Sequence, residues 1–471
     1  MTPARSTFLA CVILALSTPA TAAPAQGPVI MIDPRVELLS LVFRVAGNPE
    51  YNQCRFSRYQ EAADAWIAPH SDHRVFQLAS EARTSAGVSF DAVQSLALHL
   101  GPLPALAARV PLADTTIALD RRWRRTDVGA FVSALRDFAA VSRFGAFLDS
   151  QQSMIDSVAG RLRALFESEA DFSWFDRFFG ARQPARFQLT PGLCNGAGNF
   201  GPRFRDANGR EELYAIVGVF QLDSTGLPTF GRSMVPTIVH EFNHSYVNPL
   251  FGAEFARFAR AADAIYPKVA EEMRAQAYGS GLTMLNESIV RAGVVRYIAA
   301  TRGDSAAREE IQSQIGLGFV WMGELAARLA EYEGARDRYR TLADFVPRLA
   351  AFWDSLAPRV DGMLATLEAR RPQLVAADPS DGASGVEAAR TTVTLRFDRP
   401  MGRGYSINPG PGGQATWPGI GALSWDSTRT VLTMQVTLAP GRRYELALGG
   451  QGFRSADGTP LRRRVITFST R

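Results

Sequence analysis

The stretch VHEFNHSY, residues 239–246, places two histidines four positions apart, with a glutamate directly after the first. Residues four apart on an α-helix lie on one face, one turn above the other. His240 and His244 can therefore bind one tetrahedral Zn²⁺ through ring nitrogens at about 2.0–2.1 Å. Glu241 would lie beside the metal and could take a proton from the water that the zinc activates. The stretch predicts either a catalytic zinc site or a helix with two unrelated histidines on one face.

The residues around the two histidines favour a helix with one buried face. Pro236 is acceptable in a first turn, and Asn248-Pro249 is expected to end the helix. His240 and His244 lie beside an apolar stripe with helical spacing. The stripe consists of Val235, Ile238, Val239, Phe242 and Tyr246. The pattern predicts a buried helix that directs both histidines at a cleft.

Two short segments before this helix have the composition of strands. The first, ARFQLT at 185–190, alternates between polar and apolar residues, and the second, LYAIVGVFQ at 213–221, is rich in β-branched and aromatic residues. The loop between them, PGLCNGAGNFGPRF, is rich in glycine but lacks the Lys-Ser/Thr of a phosphate-binding loop. The sequence therefore predicts a small sheet directly before the metal helix.

A catalytic zinc needs a third protein ligand and one open position for water. No histidine follows His244 in the sequence, so the third ligand is expected to be a carboxylate. The near candidates are Glu254, Glu271, Glu272 and Glu287. Glu287 is best placed, because a new amphipathic helix begins after Gly281 and small residues that allow close packing follow the glutamate.

In these residues the sequence resembles the gluzincin metallopeptidases. In that family an H-E-x-x-H helix is followed by a second helix that gives a glutamate ligand, often as N-E-x-x-x-D. His240, Glu241 and His244 fit the first motif, and Asn286-Glu287 begins the second, with Arg291 in place of the aspartate. The sequence also resembles a bacterial family with a domain of unknown function, built around VPTIVHEFNHSYVNP and LNESIVRAG.

The gluzincin resemblance implies one catalytic Zn²⁺ and a general base, Glu241. It also implies a donor that stabilises the oxyanion, for which Tyr278 and Tyr297 flank the Glu287 helix and Tyr246 is a further candidate. In zincins the strand before the metal helix pairs with an extended peptide or protein substrate. This role would fall to residues 214–220.

The regions on either side of this core are predicted to be helical. DPRVELLSLVFRVAG offers Asp33 as an N-cap and Gly47 as a stop, and the pattern is helical again from 249 to about 369. Further amphipathic patterns lie at roughly 57–67, 90–100 and 127–147.

The composition changes near residue 372, where Pro, Gly, Ser and Asp cluster. Short alternating runs follow, at 392–397, 430–436, 443–448 and 465–468, and they predict a β-sandwich. ADPSDGASGV, VTLRFDRPM and LAPGRRYELAL resemble a bacterial Ig-like module of extracellular and cell-wall proteins. The resemblance implies a spacer or an adhesive surface.

The N terminus has the features of a secretory signal: a basic Arg5, an apolar run at 8–16 and small residues at 20–22. Cleavage is expected near Ala22 or Ala23, and the apolar run is too short for a membrane anchor. The mature protein is therefore expected in the periplasm or outside the cell. Net charge is +5, but the sequence has no run of five basic residues, which disfavours binding to nucleic acid.

Two other groups of residues have a less specific pattern. In an oxidising compartment Cys54 and Cys194 can form one disulfide or remain two buried thiols. His70 and His73 lie beside a proline in a polar stretch, which favours a solvated loop over a second metal site.

The sequence thus predicts an α+β protein with a signal peptide (1–23), a mainly helical zincin-like metallopeptidase domain with a small β-sheet (28–371), and an all-β Ig-like sandwich domain (374–471). The metallopeptidase domain is divided into a helical part (28–184), the metal-site core (185–300) and a second helical part (301–371). The predicted function is hydrolysis of peptide bonds by a secreted zinc metallopeptidase. The alternative is a catalytically inactive zincin-like extracellular protein that binds or adheres through its Ig-like domain, for instance to a cell wall or surface.

Overall fold

A computed structural model describes residues 27–114, 119–180, 185–196, 198–450 and 452–471 of the chain. The predicted signal peptide, 1–23, lies outside the described residues. Within the described ranges, no helix is both long and apolar enough to cross a membrane. The architecture is mixed α/β, with helices on both sides of a small sheet and a separate β-rich region at the C terminus.

The N-terminal part is helical, as the amphipathic patterns indicate. Asp33 caps the first helix by accepting a hydrogen bond from the backbone N–H of Arg35 at 2.9 Å. The pattern at 127–147 is two helices instead of one, because the chain adopts a left-handed conformation at Arg143, with φ of 53°. The helices of this part are α1 (Pro34–Val45), α2 (Ser57–Ile67), α3 (Arg74–Ala86), α4 (Asp91–His99), α5 (Val128–Val141), α6 (Phe144–Ser150), α7 (Gln152–Glu169) and α8 (Trp174–Phe179).

The main sheet has the strand order β1-β2-β4-β3, and a separate hairpin joins β5 to β6. Its side chains alternate between two helical layers: Leu213 and Ala215 pack toward the helices that follow the sheet, and Tyr214 and Ile216 toward those that precede it. The strands are β1 (Val29–Ile30), β2 (Ala185–Gly192), β3 (Arg203–Arg205), β4 (Glu211–Gly218), β5 (Gln221–Leu222) and β6 (Pro228–Thr229).

Strand β4 is an interior strand, which contradicts the substrate-pairing role predicted for 214–220. It pairs in parallel with all eight residues of β2 on one side. On its other side it pairs with β3, and Phe200 and Ile216 exchange two backbone hydrogen bonds of 2.8 and 2.9 Å. A sequence pattern can predict a strand but not which segments pair with it. The glycine-rich loop occupies the edge of β4 where the prediction placed a substrate.

The six helices after the sheet form the second helical part. They are α9 (Met234–Ala253), α10 (Ala259–Arg274), α11 (Gly281–Gly316), α12 (Met322–Gly334), α13 (Leu342–Leu356) and α14 (Val360–Arg370). The prediction that α9 ends at Asn248-Pro249 is wrong, because the helix continues to Ala253. A proline removes one helical hydrogen bond, but Val247 and Phe251 on either side of it are buried in the core and hold the last turn in place.

Helix α11 contains a break at Gly303, where φ is 83° and ψ is 173°. A straight helix would separate residues 291 and 314 by about 34 Å. In the structure Nη1 of Arg291 donates a hydrogen bond to Oε1 of Gln314 at 2.8 Å. The chain therefore reverses at Gly303, and segments 281–302 and 304–316 form an antiparallel helical hairpin.

The C-terminal region is a sandwich of two four-stranded sheets, with strand orders β10-β13-β14-β8 and β11-β12-β9-β7. The strands are β7 (Leu374–Asp378), β8 (Ala383–Val386), β9 (Thr392–Phe397), β10 (Ile407–Pro409), β11 (Gly419–Trp425), β12 (Val431–Thr437), β13 (Arg443–Leu448) and β14 (Arg464–Thr470). The sandwich contacts the second segment of α11: Nη1 of Arg454 donates to the carbonyl of Gln312 at 3.0 Å. Pro460 packs against Gly316.

Cys54 and Cys194 form a disulfide that closes a sequence separation of 140 residues. Cys54 precedes α2, and Cys194 lies in the glycine-rich loop directly after β2. The bond therefore ties the N-terminal helical layer to the loop that borders β4.

Candidate metal centre

His240, His244 and Glu287 come together although they lie on two helices. Nε2 of His240 and Nε2 of His244 are 3.1 Å apart, and each lies near one oxygen of Glu287, at 3.6 and 3.4 Å respectively. Tetrahedral ligands at about 2.0–2.1 Å from a zinc ion are about 3.3–3.4 Å apart. Each histidine nitrogen thus lies at about ligand spacing from the other and from one of the two Glu287 oxygens, and one ligand atom from each of the three residues lies within 4.8 Å of the others. Among the described residues, this is the one group of three His, Cys, Asp or Glu side chains that lie close enough together to hold a metal ion.

The chemistry of the donors also fits zinc. Two imidazole nitrogens and one carboxylate oxygen form a ligand set of known catalytic zinc sites. Glu287 is only 6% exposed, and within the described chain its Oε2 atom has no hydrogen-bond partner. This oxygen lies 3.4 Å from Nε of Arg291 and 3.6 Å from Nε2 of His240 but accepts no hydrogen bond, and a bound cation would offset the cost of burying it.

Close contacts of two glycines hold α9, which carries both histidines, in position. Asn243 is fully buried on α9 and donates through Nδ2 to the carbonyl of Val290 on α11 at 3.0 Å. A Cβ atom at Gly293 would lie 2.8 Å from that Nδ2 atom, and a Cβ atom at Gly201 would lie 2.2 Å from the carbonyl oxygen of Glu241. Both glycines are therefore needed, one for the crossing of α9 and α11 and the other for the glycine-rich loop to reach α9.

The orientation of His244 is set by Asn248, which the sequence analysis placed only at the expected end of the helix. Oδ1 of Asn248 lies 3.2 Å from Nδ1 of His244. An amide oxygen accepts a hydrogen bond, so this contact places the ring proton on Nδ1. It leaves the lone pair of Nε2 directed toward His240 and Glu287, as a metal ligand requires.

Electrostatics favour a neutral histidine and a proton-accepting glutamate. Burial holds the pKa of His240 well below its usual value, and the neighbouring His244 and Arg291 add to this effect. A neutral imidazole is the form that binds metal. Burial also raises the pKa of Glu241 well above its usual value, helped by the negative charge of Glu287. A carboxylate with a raised pKa is a stronger base than an ordinary glutamate.

Arg291, at the position where the gluzincin motif has an aspartate, lies beside Glu287. Its Nε atom is 3.4 Å from Oε2 of Glu287. Its Nη2 donates to the hydroxyl of Tyr278 at 2.7 Å, and its Nη1 donates to Gln314. The guanidinium is thus held on three sides beside a candidate ligand. The sequence analysis noted Arg291 only as a departure from the motif, and its basic charge beside a predicted ligand was the signal that could have identified it.

A cleft of about 560 Å³ opens beside the three candidate ligands. His240, Glu241 and Arg291 lie at its metal end. The other residues that line it are Asn199, Ser233, Pro236, Thr237, Val294, Ile298, Arg302, Ala306, Glu309, Glu310 and Gln314. The cleft is therefore bordered by α9, both segments of α11 and the glycine-rich loop.

The three tyrosines considered as oxyanion donors have different surroundings. Tyr278 contacts Arg291, as described, and is partly buried. Tyr297 is fully buried, and its hydroxyl accepts a hydrogen bond from the backbone N–H of Asp171 at 2.9 Å, a position that does not suit the oxyanion role. Tyr246 stacks on Phe179 with ring centroids 4.3 Å apart and belongs to the aromatic core.

The remaining candidates for metal ligands lie elsewhere. Glu254 pairs with Arg257 at 2.5 Å, and neither Glu271 nor Glu272 joins a metal-binding group among the described residues. His73 caps α3 by accepting a hydrogen bond from the backbone N–H of Val75 at 3.1 Å.

Comparisons with known proteins identify two domains. Residues 29–352 match a family described as "Domain of unknown function (DUF4932)", and residues 368–470 match a family described as "Bacterial Ig-like domain". The first match covers the sheet, the metal helix and most of the second helical part. The second match covers the C-terminal β-sandwich. No curated protein matches the chain.

Several solved structures are similar at low identity. CopC from Methylosinus trichosporium OB3b is 19% identical, over 21% of this chain and 93% of that one, with a TM-score of 0.18. The S-layer protein rSbsC(31-844) is 15% identical, over 53% of this chain and 35% of that one, with a TM-score of 0.18. The N-terminal part of the bacterial S-layer protein SbsC is 14% identical, over 54% and 60%, with a TM-score of 0.17. Scores this low carry no argument about fold or function.

Proposed function

The chain belongs to the DUF4932 family and continues into a bacterial Ig-like domain, and we propose that it is an exported zinc-dependent metallopeptidase of the gluzincin type. The observation that carries this proposal is the position of Glu241. It lines the same cleft as the candidate ligand His240, is only 5% exposed, and its carboxylate forms no hydrogen bond or ion pair with any described residue. A buried carboxylate without a partner destabilises the fold, which is typical of a residue retained for chemistry.

His240, His244 and Glu287 would hold the metal. A bound zinc ion supplies polarisation of the scissile carbonyl and a lowered pKa of water. Asn248 keeps the His244 ring in the ligating orientation, and Arg291 holds the Glu287 carboxylate from the other side. These contacts would reduce the reorganisation that metal binding requires.

Glu241 would act as the general base and then as the general acid. It takes a proton from the attacking water, whose oxygen forms a bond with the carbonyl carbon of the peptide. When the carbon–nitrogen bond breaks, Glu241 gives the proton to the leaving amine. The raised pKa of Glu241 suits both steps, because the carboxylate must hold the proton between them.

Arg291 would stabilise the negative charge that develops on the carbonyl oxygen. It lines the cleft at the metal end, whereas Tyr278 supports it through the 2.7 Å hydrogen bond. Preorganised donors directed at a developing oxyanion are worth about 2.7–4 kcal/mol of transition-state stabilisation. This role replaces the one that the gluzincin resemblance implies for Tyr278 or Tyr297.

Export is part of the proposal. The disulfide between Cys54 and Cys194 supports it, because structural disulfides form in the periplasm and outside the cell. The sequence of the first 23 residues supports it as well.

The most direct test of the catalytic role is Glu241→Gln, which keeps the size of the side chain and removes the base. Zinc content should be unchanged, while hydrolysis of a fluorogenic peptide library should fall by about 10²–10⁴-fold. Glu61→Gln, an exposed glutamate on α2, is the matched control and should change neither quantity. Unchanged turnover in Glu241→Gln would refute its role as base. A zinc-loaded wild-type protein that cleaves no peptide would favour the inactive binding protein instead.

A further inference from the structure

The mode of substrate binding follows from the pairing of β4 and the shape of the cleft. Strand β4 directly precedes the hairpin and the metal helix, but it has a neighbour on each side. The backbone groups of Ile216 that would meet a substrate strand are already bonded to Phe200. Gly201, next in the same loop, packs against the carbonyl of Glu241 and so leaves no space for a chain between β4 and α9.

The cleft is a trough formed mainly by three helical segments, with Asn199 of the glycine-rich loop also in its lining. Asn243 on α9 bonds to Val290, and Arg302 donates through Nη2 to the carbonyl of Arg232, just before α9, at 3.0 Å. Residue numbers along α9 therefore decrease where those along the neighbouring part of α11 increase, so the two helices run antiparallel. The hairpin at Gly303 then brings segment 304–316 back along the other side. The first segment of α11 forms the floor, and α9 and the second segment form the walls.

The trough has a definite length. Its floor runs from Arg291 at the metal end to Arg302 at the far end, with Val294 and Ile298 between them. The eleven helical steps from residue 291 to residue 302 span about 16 Å. An extended peptide covers about 3.3 Å per residue, so about five residues fit along the floor. The contacts available to such a peptide are side chains, since a helical wall has no free backbone groups in its middle turns.

The wall made by segment 304–316 is acidic. Glu309 and Glu310 both line the trough. Glu309 is exposed and has no ion-pair partner anywhere in the described part of the chain, and Glu310 is bonded to Gln314. The two glutamates lie in the middle of the wall, away from Arg302 at the far end. The buried and unpaired carboxylate of Glu241, in the same trough, marks it as the place where a ligand binds.

We propose that the substrate lies along this trough as a short peptide segment, held by its side chains, with a lysine or arginine side chain facing Glu309 and Glu310. The proposal rests on the peptidase function described above and names its substrate class. It excludes the strand-to-strand pairing with β4 that the gluzincin resemblance implies.

Charge recognition is tested with the double variant Glu309→Gln/Glu310→Gln. For a peptide with one lysine, KM should rise about fivefold, the effect of two partly exposed charge pairs, while kcat stays within roughly twofold. For the same peptide with glutamine in place of the lysine, the variant and the wild type should have equal KM values. Glu61→Gln again serves as the control. A wild-type protein that cleaves both peptides equally well, or a double variant that retains the preference for lysine, would overturn the proposal.

A binding measurement separates this proposal from the peptidase function. Fluorescence anisotropy with the labelled lysine and glutamine peptides and zinc-loaded Glu241→Gln reports affinity without turnover. Preference for the lysine peptide supports the trough even if wild-type protein hydrolyses nothing, in which case only the peptidase function fails. Equal or absent binding of the two peptides contradicts the trough, whatever the activity.

The absence of strand pairing is tested with backbone esters. Replacing a non-scissile amide of the lysine peptide by an ester removes one N–H donor with little change of shape. Single replacements along five positions should each leave the affinity within roughly threefold, because the trough contacts side chains. A loss of tenfold or more at alternate positions would show strand pairing and overturn the proposal.

Discussion

Replacing Gly201 with alanine tests whether the glycine-rich loop fixes the geometry of the metal helix. The new Cβ would lie 2.2 Å from the carbonyl oxygen of Glu241, 3.1 Å from its carbonyl carbon and 3.3 Å from Cβ of His244. These contacts are too short to persist, and two of the three involve backbone atoms that cannot rotate away. Either the loop or α9 must move, and overpacking of this kind costs about 1–3 kcal/mol.

The matched control is Gly160→Ala in α7, where a Cβ meets nothing within 4 Å. Alanine is preferred over glycine in a helix interior by about 0.5–1 kcal/mol, so this variant should be more stable than the wild type. At about 2 kcal/mol, Gly201→Ala should lower Tm by roughly 3 °C in differential scanning calorimetry of metal-free protein, because the unfolding entropy of a domain that spans residues 29–352 is about 0.7 kcal/mol/K. Zinc affinity should also fall, because Glu241 and His244 shift together. A Gly201→Ala protein with wild-type Tm and zinc affinity would refute this account of the loop.

Three further predictions concern other parts of the structure. Cys54→Ser/Cys194→Ser should lose up to about 5 kcal/mol of unfolding free energy, since the disulfide closes 140 residues, and urea unfolding that matches the oxidised wild type would contradict this. Burial lowers the pKa of His99 to about 4, so between pH 6.5 and pH 4 the unfolded chain binds a proton at this residue and the folded chain does not. The free energy of unfolding should therefore fall by about 3 kcal/mol as the pH drops through that window. His99→Leu should flatten the pH profile of urea unfolding. Asn248→Ala should weaken zinc binding by about tenfold in chelator competition with little change in Tm, because it frees the His244 ring; unaltered affinity would argue against the orienting role.

The sequence predicted the local features of the site because they depend on helical spacing. His240 and His244 fall on one face of α9, and the strands of the C-terminal sandwich at Thr392–Phe397 and Arg443–Leu448 have the predicted bounds. Glu287 lies beside both histidines, as the amphipathic helix that begins after Gly281 and the small residues after the glutamate led us to expect. In each case a short-range pattern was sufficient.

The features that the sequence did not reveal depend on contacts between distant segments. The return of the loop at Phe200 to β4 is a choice of strand neighbour, which no local pattern specifies. The reversal at Gly303 rests on one glycine with positive φ inside the region from 249 to about 369 that the sequence predicts as helical, and that pattern does not reveal the reversal. Pro249 lies within α9 because tertiary packing outweighs one missing hydrogen bond. The first two of these features changed the proposed substrate site from a strand edge to a helical trough.

The central claim is that His240, His244 and Glu287 hold one zinc ion. Elemental analysis of the protein, purified with zinc available, measures this directly, together with His240→Ala and Glu287→Ala and the control Glu61→Gln. We expect about one zinc per chain in the wild type and in the control. The His240→Ala and Glu287→Ala proteins should retain the fold of the control and lose the metal. Absence of zinc from the wild type, or full zinc content in Glu287→Ala, would contradict the claim.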